Sequence, residues 1–205
     1  MSTSAQPQPS PASVWSAPIH VHSTRTDPLS SDVSTADTIG ILRELAHRYA
    51  RDASVHIAIA QAFRELSPYA SDREKACAIF RWVRGNVRFI EDEALLYGQM
   101  GVAPKRLDKE LLIVPPALMA MHEPMGDCDD FSLLLASMLL NAGLRPYFVT
   151  VAADKNLPRK FSHIYVCVRL EDEDGYLCLD AGNRLLGIEP GWEIESVTRK
   201  AIWTV

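Results

Sequence analysis

The chain has 205 residues, of which 47% are hydrophobic and 23% charged, a composition typical of a globular protein. Its formal net charge is −5, whereas proteins that coat nucleic acids or bind anionic membranes carry an excess of basic residues. Four cysteines are too few for a disulfide scaffold. The longest apolar run, residues 111–121, is interrupted by two prolines and falls short of the roughly 20 residues that span a bilayer. We therefore expect neither a nucleic-acid partner nor a membrane partner.

The N-terminal segment differs in composition from the rest. Residues 1–36 are rich in Pro, Ser and Thr and hold five of the 13 prolines. Such a segment buries little apolar surface, so we predict a flexible tail over 1–36 and one domain over 37–205. The alternation of residues 19–22 would also suit an edge strand. No basic stretch followed by an apolar one begins the chain, so we expect a cytoplasmic protein with reduced thiols.

Three helices are predicted next along the chain. The first begins after a cap at Asp37 or Thr38, and the second covers residues 54–66. The third begins near Ser71, where Glu74 three residues later indicates a capping box. Residues 87–90 are typical of a short strand. Residues 91–125 look irregular, and a long irregular stretch within a compact domain more often serves function than not.

The second half of the chain begins with a helix and continues with strands. Asp127 is the predicted N-cap of an apolar helix over 127–142, which ends at Gly143. Three strand candidates follow, at 146–153, 161–170 and 176–180. Because helices come first and strands afterwards, we predict an α+β fold, with the helices packed on an antiparallel sheet.

Cys128 is the candidate nucleophile, because it lies in the first turn of the predicted helix 127–142. Unpaired backbone N–H groups and the positive end of the helix dipole lower a thiol pKa there, and only the thiolate attacks. Asp127, Asp129 and Asp130 act in the opposite direction through their negative charge. A cationic partner is therefore required.

His163 is the candidate for that cationic partner, and Asp180 is the candidate for the carboxylate that supports it. Period-two alternation places His163 on one face of strand 161–170, opposite the apolar face. In a hairpin centred at position 172.5, Asp180 lies opposite Tyr165 and diagonal to His163. In a hairpin centred at 171.5, it lies directly opposite His163. Either register permits an imidazole–carboxylate contact, which would complete a nucleophile, a base and an orienting acid.

These motifs resemble those of the transglutaminase-like superfamily of papain-type cysteine enzymes. The resemblance rests on the residue blocks 126–132, 161–166 and 177–181, and it covers roughly residues 38–190. It implies a papain-like α+β core with Cys128 as nucleophile, His163 as base and Asp180 as orienter. The layout is also similar to that of the small transglutaminase-like proteins found in phage and prophage gene clusters.

Further site residues are expected around Cys128. Its backbone N–H is one oxyanion donor, and Gln99 is a candidate for a second. Asp129 is a candidate substrate-binding residue that would favour a cationic group. In the hairpin centred at 172.5, Cys167 and Cys178 would be cross-strand neighbours, and in a cytoplasm we expect reduced thiols rather than a disulfide. The chain lacks the close cysteine pairs of zinc sites and the spacing of EF-hands, so we expect no metal and no cofactor.

The resemblance implies a cysteine-dependent acyl-transfer enzyme that acts on amide bonds of a protein or peptide. Peptidase or amidase, deamidase and transglutaminase activities share the same thioester intermediate, and the triad does not separate them. The alternative is a non-catalytic binding or structural protein on the same fold, such as a phage morphogenesis component. Its partners would then be phage structural proteins, and it would be associated with the virion. A third hypothesis is a hydrolase carried by a phage particle that acts on peptides or on the cell wall.

Overall fold

The computed structural model describes residues 20–22, 31–92, 94, 95, 97, 110–170 and 175–205. Side chains at 20–22, 31–34, 110 and 111 are not among the described features. The elements in chain order are β1 (His20–His22), α1 (Ser31–Tyr49), α2 (Ala53–Ala62), α3 (Asp72–Asn86), β2 (Arg88–Phe89), β3 (Glu110–Leu112), α4 (Pro115–Ala120), β4 (Met125–Gly126), α5 (Cys128–Asn141), β5 (Arg145–Val151), β6 (His163–Arg169), β7 (Tyr176–Leu179) and β8 (Lys200–Thr204). This mixture of helices and antiparallel sheet confirms the predicted α+β fold.

Helix α5 lies at the centre of the molecule. All of its residues from Asp129 to Leu139 are buried, because α1, α2 and α3 pack on it from one side and β5 and β6 from the other. A helix surrounded in this way needs apolar residues around its whole circumference rather than on one stripe. The sequence meets that need with Phe, Leu, Ala and Met at most positions between 131 and 139. The N-terminus of α5 is thereby held firmly between the helical layer and the sheet.

The main sheet has four strands in the order β7-β6-β5-β8, and all of its pairings are antiparallel. One face packs on α5 through Phe148, Val166 and Val168. The other face buries a smaller cluster that includes Val149 and Tyr165 and is covered by Ile194 and Val197. Strand β6 is therefore buried on both faces.

Two small pairings position the chain that leads into α5. Strand β2 runs parallel to β4, with Phe89 opposite Gly126, directly before the N-cap of α5. Strand β1 pairs antiparallel with β3, with His20 opposite Leu112. The alternation at residues 19–22 thus corresponds to a real strand over 20–22.

Several predicted boundaries require correction. Helix α1 begins at Ser31, so a cap at Asp37 or Thr38 is wrong, and the helix runs across the predicted boundary between tail and domain. Apart from β1 and the start of α1, the residues of the predicted tail lie outside the described part of the chain. Residues 115–120, predicted to be irregular, form α4, because proline is well tolerated in the first turn of a helix. Strand β8 was not predicted at all.

The cysteines on β6 and β7 also differ from expectation. Cys167 lies directly opposite Cys178 in the register, and the two residues form a disulfide. The predicted neighbourhood was right, but the expected reduced thiols were wrong. The strand register brings the two Cα atoms within 4.0 Å of each other.

Candidate active site

The start of α5 is fixed by an interlocking cap. The Asp127 side chain accepts a hydrogen bond from the backbone N–H of Asp129 at 3.3 Å, and Asp130 Oδ2 accepts from the Asp127 N–H at 3.1 Å. The other oxygen of Asp130 accepts from the Ile113 N–H at 2.6 Å. Asp130 is fully buried, so it ties the chain that follows β3 to the first turn of α5. Its neighbour Cys128 is therefore held at a defined position.

Two glycines allow other segments to approach this turn closely. A Cβ on Gly126 would lie 2.7 Å from the Asp130 Cβ, a separation that real Cβ atoms do not adopt. A Cβ on Gly182 would lie 3.5 Å from the Cys128 Cα and 3.3 Å from Phe131. The residues after Asp180 consequently pass directly beside the candidate nucleophile. Glycine is required at 126 for space, not for backbone conformation.

His163 and Asp180 are in direct contact. His163 Nε2 lies 3.0 Å from each carboxylate oxygen of Asp180. The Asp180 side chain is buried, and Asp180 Oδ2 also accepts a hydrogen bond from Asn183 Nδ2 at 3.0 Å. The pairing of Cys167 with Cys178 corresponds to the hairpin centred at 172.5, so the diagonal arrangement is the one that forms. Because Asp180 occupies Nε2, Nδ1 is the ring nitrogen left for another partner.

Cys128 and His163 line the same cavity of about 430 Å³. Ser132 connects their two elements, since its hydroxyl donates to the Cys128 carbonyl at 2.7 Å and lies 3.3 Å from the Ile164 carbonyl. Phe89 and Ile194 add apolar surface to the cavity. The structure therefore brings together all three residues that the sequence singled out, from α5, β6 and the end of β7.

Arg84 was not predicted as a site residue, yet it organises one wall of this cavity. Its guanidinium donates to the carbonyls of Ala181 and Asn183, at 3.3 and 2.8 Å, and also to that of Leu185. One α3 side chain thus holds three carbonyls of the loop that follows Asp180. In the same loop, Arg184 forms an ion pair with Glu91, and its guanidinium stacks over the Phe89 ring at 4.4 Å. No sequence motif signals this arrangement, because the partners of Arg84 are backbone atoms about 100 residues away.

Asp129 lies beside a second cavity, of about 320 Å³, which Cys128 and His163 also line. The side chain is 4% exposed. Its Oδ2 atom has no hydrogen-bond partner in the described part of the chain. Burial, reinforced by the nearby Asp127 carboxylate, raises the pKa of Asp129 well above its ordinary value. Gln99, the candidate second oxyanion donor, lies outside the described residues.

Two clusters among the described residues bring three metal-ligating atoms together: Asp92 with Asp127 and Asp130, and Cys167 with Cys178 and Glu193. In the first, both Asp130 oxygens already accept backbone N–H groups. In the second, the two sulfur atoms are bonded to each other. We assign a metal to neither cluster.

Comparison with known proteins identifies the family of this chain. The sequence profile of a family described as "Transglutaminase-like domain" matches residues 58–203, which is more than half of the chain. The chain belongs to this transglutaminase-like family. The matched region contains α5, β6 and β7, and so includes Cys128, His163 and Asp180. No curated protein matches the chain significantly.

Two solved structures resemble this transglutaminase-like domain in fold. One is a crystal structure of a TGase, with 16% identity and a TM-score of 0.44 over 70% of this chain. The other is a proposed cysteine protease from Cytophaga hutchinsonii, with 16% identity and a TM-score of 0.37 over 74% of this chain. The chain spans 34% of the length of the first and 51% of the second. None of the helices in the described segments combines the length and the apolarity needed to cross a membrane.

Proposed function

We propose that this transglutaminase-like domain is a cysteine-dependent acyl-transfer enzyme that acts on amide bonds of a peptide or protein. Cys128 would be the nucleophile, His163 the general base and acid, and Asp180 the residue that orients the imidazole. The observation that carries the proposal is the 3.0 Å contact between His163 Nε2 and a buried Asp180, on a histidine that shares its cavity with Cys128.

The contact with Asp180 determines which nitrogen of His163 can act. A carboxylate accepts hydrogen bonds, so it selects the tautomer that carries its proton on Nε2. The unprotonated Nδ1 is then free to take the proton of the Cys128 thiol. The imidazolium that results is stabilised by the Asp180 charge, and the thiolate by the N-terminus of α5.

The reaction then proceeds in two halves. The Cys128 sulfur bonds to the amide carbonyl carbon, and the charge that develops on the carbonyl oxygen is met by backbone N–H groups at the start of α5. The C–N bond breaks as His163 returns its proton to the leaving nitrogen, and a thioester remains on Cys128. Water or an amine next bonds to the thioester carbonyl, His163 takes its proton, and the sulfur leaves as thiolate. Hydrolysis, deamidation and transamidation differ in the leaving group and in this second nucleophile.

Formation of the thioester can be tested without knowledge of the natural substrate. Incubation with p-nitrophenyl acetate should acetylate Cys128, which intact-mass and peptide mass spectrometry would detect, and hydroxylamine should discharge the adduct. His163→Ala should form the adduct far more slowly. Cys77, a partly buried cysteine outside the disulfide, is the internal control. If Cys128 is acetylated no faster than Cys77, the enzyme proposal fails, and a binding or structural protein, such as a phage component, becomes the better account.

A further inference from the structure

A third cavity, of about 530 Å³, lies away from the candidate active site, where the C-terminal end of α1 meets the start of α2 and the end of α5. Its described lining includes four basic side chains: His47, Arg48, Arg51 and His56. The rest of that lining is Ala50, Leu140 and Asn141, so it contains no carboxylate. Cys128 and Leu140 lie on the same helix 12 residues apart, or about 18 Å along its axis at 1.5 Å per residue.

The four basic side chains form no ion pair within the described part of the chain. Some other exposed basic residues do form ion pairs, such as Arg81 with Glu189 and Arg184 with Glu91. No hydrogen bond or ion pair joins the four side chains of this cavity to any described residue. Converging positive charges repel one another, and here they do so on a protein of net charge −5.

The helix dipoles explain only half of the cluster. His47 and Arg48 lie in the last turn of α1, where the negative end of the dipole favours a cation. Arg51 and His56 flank the first turn of α2, which is the positive end of a 10-residue helix with no acidic residue in that turn. Cations are unfavourable at that end of a helix, and the N-cap Asp52 places one carboxylate there against the two basic side chains.

The two nearby carboxylates form no ion pair with the cluster. Asp52, the N-cap of α2, accepts hydrogen bonds from the Ser54 N–H and hydroxyl at 2.8 and 2.6 Å. Glu44, one turn before Arg48 on α1, forms no ion pair with any of the four basic side chains. Asn141 donates to the Ala50 carbonyl at 2.7 Å and so fixes the floor of the cavity.

We propose that this cavity binds a phosphate-bearing small molecule. Two guanidinium groups that remain charged at all physiological pH values and two imidazoles supply donors suited to phosphate oxygens. A cavity of about 530 Å³ lies within the range of about 300–1,000 Å³ of small-molecule sites and exceeds what a bare phosphate fills. This assignment does not depend on the proposed catalytic activity.

Binding can be tested on the full chain with inorganic phosphate and pyrophosphate as probes. Calorimetric titrations at constant ionic strength should show saturable binding, tighter for pyrophosphate. The double variant Arg48→Gln/Arg51→Gln should weaken that binding by about tenfold or more, because it removes both permanent charges. The matched control Arg64→Gln/Arg81→Gln makes the same charge change outside the cavity, after the end of α2 and on α3, and it should bind as the wild type does.

Three results would overturn the assignment: no saturable binding to the wild type, equal weakening in both double variants, or amide NMR shifts centred away from residues 47–56. Cys128→Ser should bind pyrophosphate normally even if the enzyme proposal fails. The two proposals therefore succeed or fail separately. A preference for RNA over pyrophosphate that survives Arg48→Gln/Arg51→Gln would also count against the cavity.

Discussion

Replacement of Asp180 with asparagine should change which ring nitrogen of His163 carries the proton, while it keeps the shape of the side chain at position 180. In the wild type, Asp180 Oδ2 accepts from Asn183 Nδ2, and both oxygens contact His163 Nε2. The amide of Asp180→Asn can satisfy Asn183 only if its oxygen faces that residue. Its NH₂ group then faces His163 Nε2.

That orientation favours the tautomer with the proton on Nδ1, which cannot accept a proton from Cys128. The variant also loses the charge-assisted hydrogen bond to the imidazolium, worth about 1.5–3 kcal/mol. At about 1.4 kcal/mol for each factor of ten, this loss corresponds to a roughly 10- to 150-fold lower rate of Cys128 alkylation near neutral pH.

Iodoacetamide alkylation, quantified by peptide mass spectrometry, measures this rate directly. Asp154→Asn is the matched control, because it makes the same substitution in an exposed loop, where the Asp154 side chain only accepts from the Asn156 N–H. The Asp154 variant should alkylate at the wild-type rate. If Asp180→Asn stays within twofold of the wild type, the orienting role of Asp180 is refuted.

Three further substitutions test the surroundings of the site. Gly126→Ala forces a Cβ against the buried Asp130 side chain, so urea unfolding should show a free energy of unfolding lower by about 1–3 kcal/mol. Gly85→Ala is the control, because a Cβ there meets nothing within 4 Å, and it should cause no loss of stability. An unchanged stability of Gly126→Ala would contradict the steric argument. The raised pKa of Asp129 should give stability that is present at low pH and lost as pH rises above the ordinary range of an aspartate, so Asp129→Asn should make Tm depend less on pH there. An unchanged dependence of Tm on pH would be the adverse result. Arg84→Gln should accelerate hydrogen exchange at residues 181–186, since the three carbonyls lose their donor. Equal protection in the variant and the wild type would show that Arg84 does not stabilise this loop.

The features that the sequence predicted well follow from local rules. The N-cap at Asp127 and the helix that follows need only a capping side chain and an apolar run. The hairpin register has two candidates, since strand alternation limits the choice, and the structure adopts the one that pairs Cys167 with Cys178. His163 and Asp180 therefore meet as expected.

The features that the sequence did not predict depend on distant partners. Strand β8 has alternate residues exposed to solvent and forms against β5, about 50 residues earlier. Arg84 gains its role from carbonyls that no residue pattern encodes. Helix α1 begins at Ser31, before the local capping signal at Asp37, and it packs on α5, a partner about 90 residues later in the chain.

The pH dependence of Cys128 alkylation, in wild type and in His163→Ala, tests the central claim most directly. If Cys128 and His163 form an ion pair supported by Asp180, wild-type alkylation should rise at a pH well below the ~8.5 of a free thiol. In His163→Ala that rise should move up towards the value for a free thiol, while Cys77 is unaffected. Superimposable profiles for Cys128 in the two proteins would contradict the account.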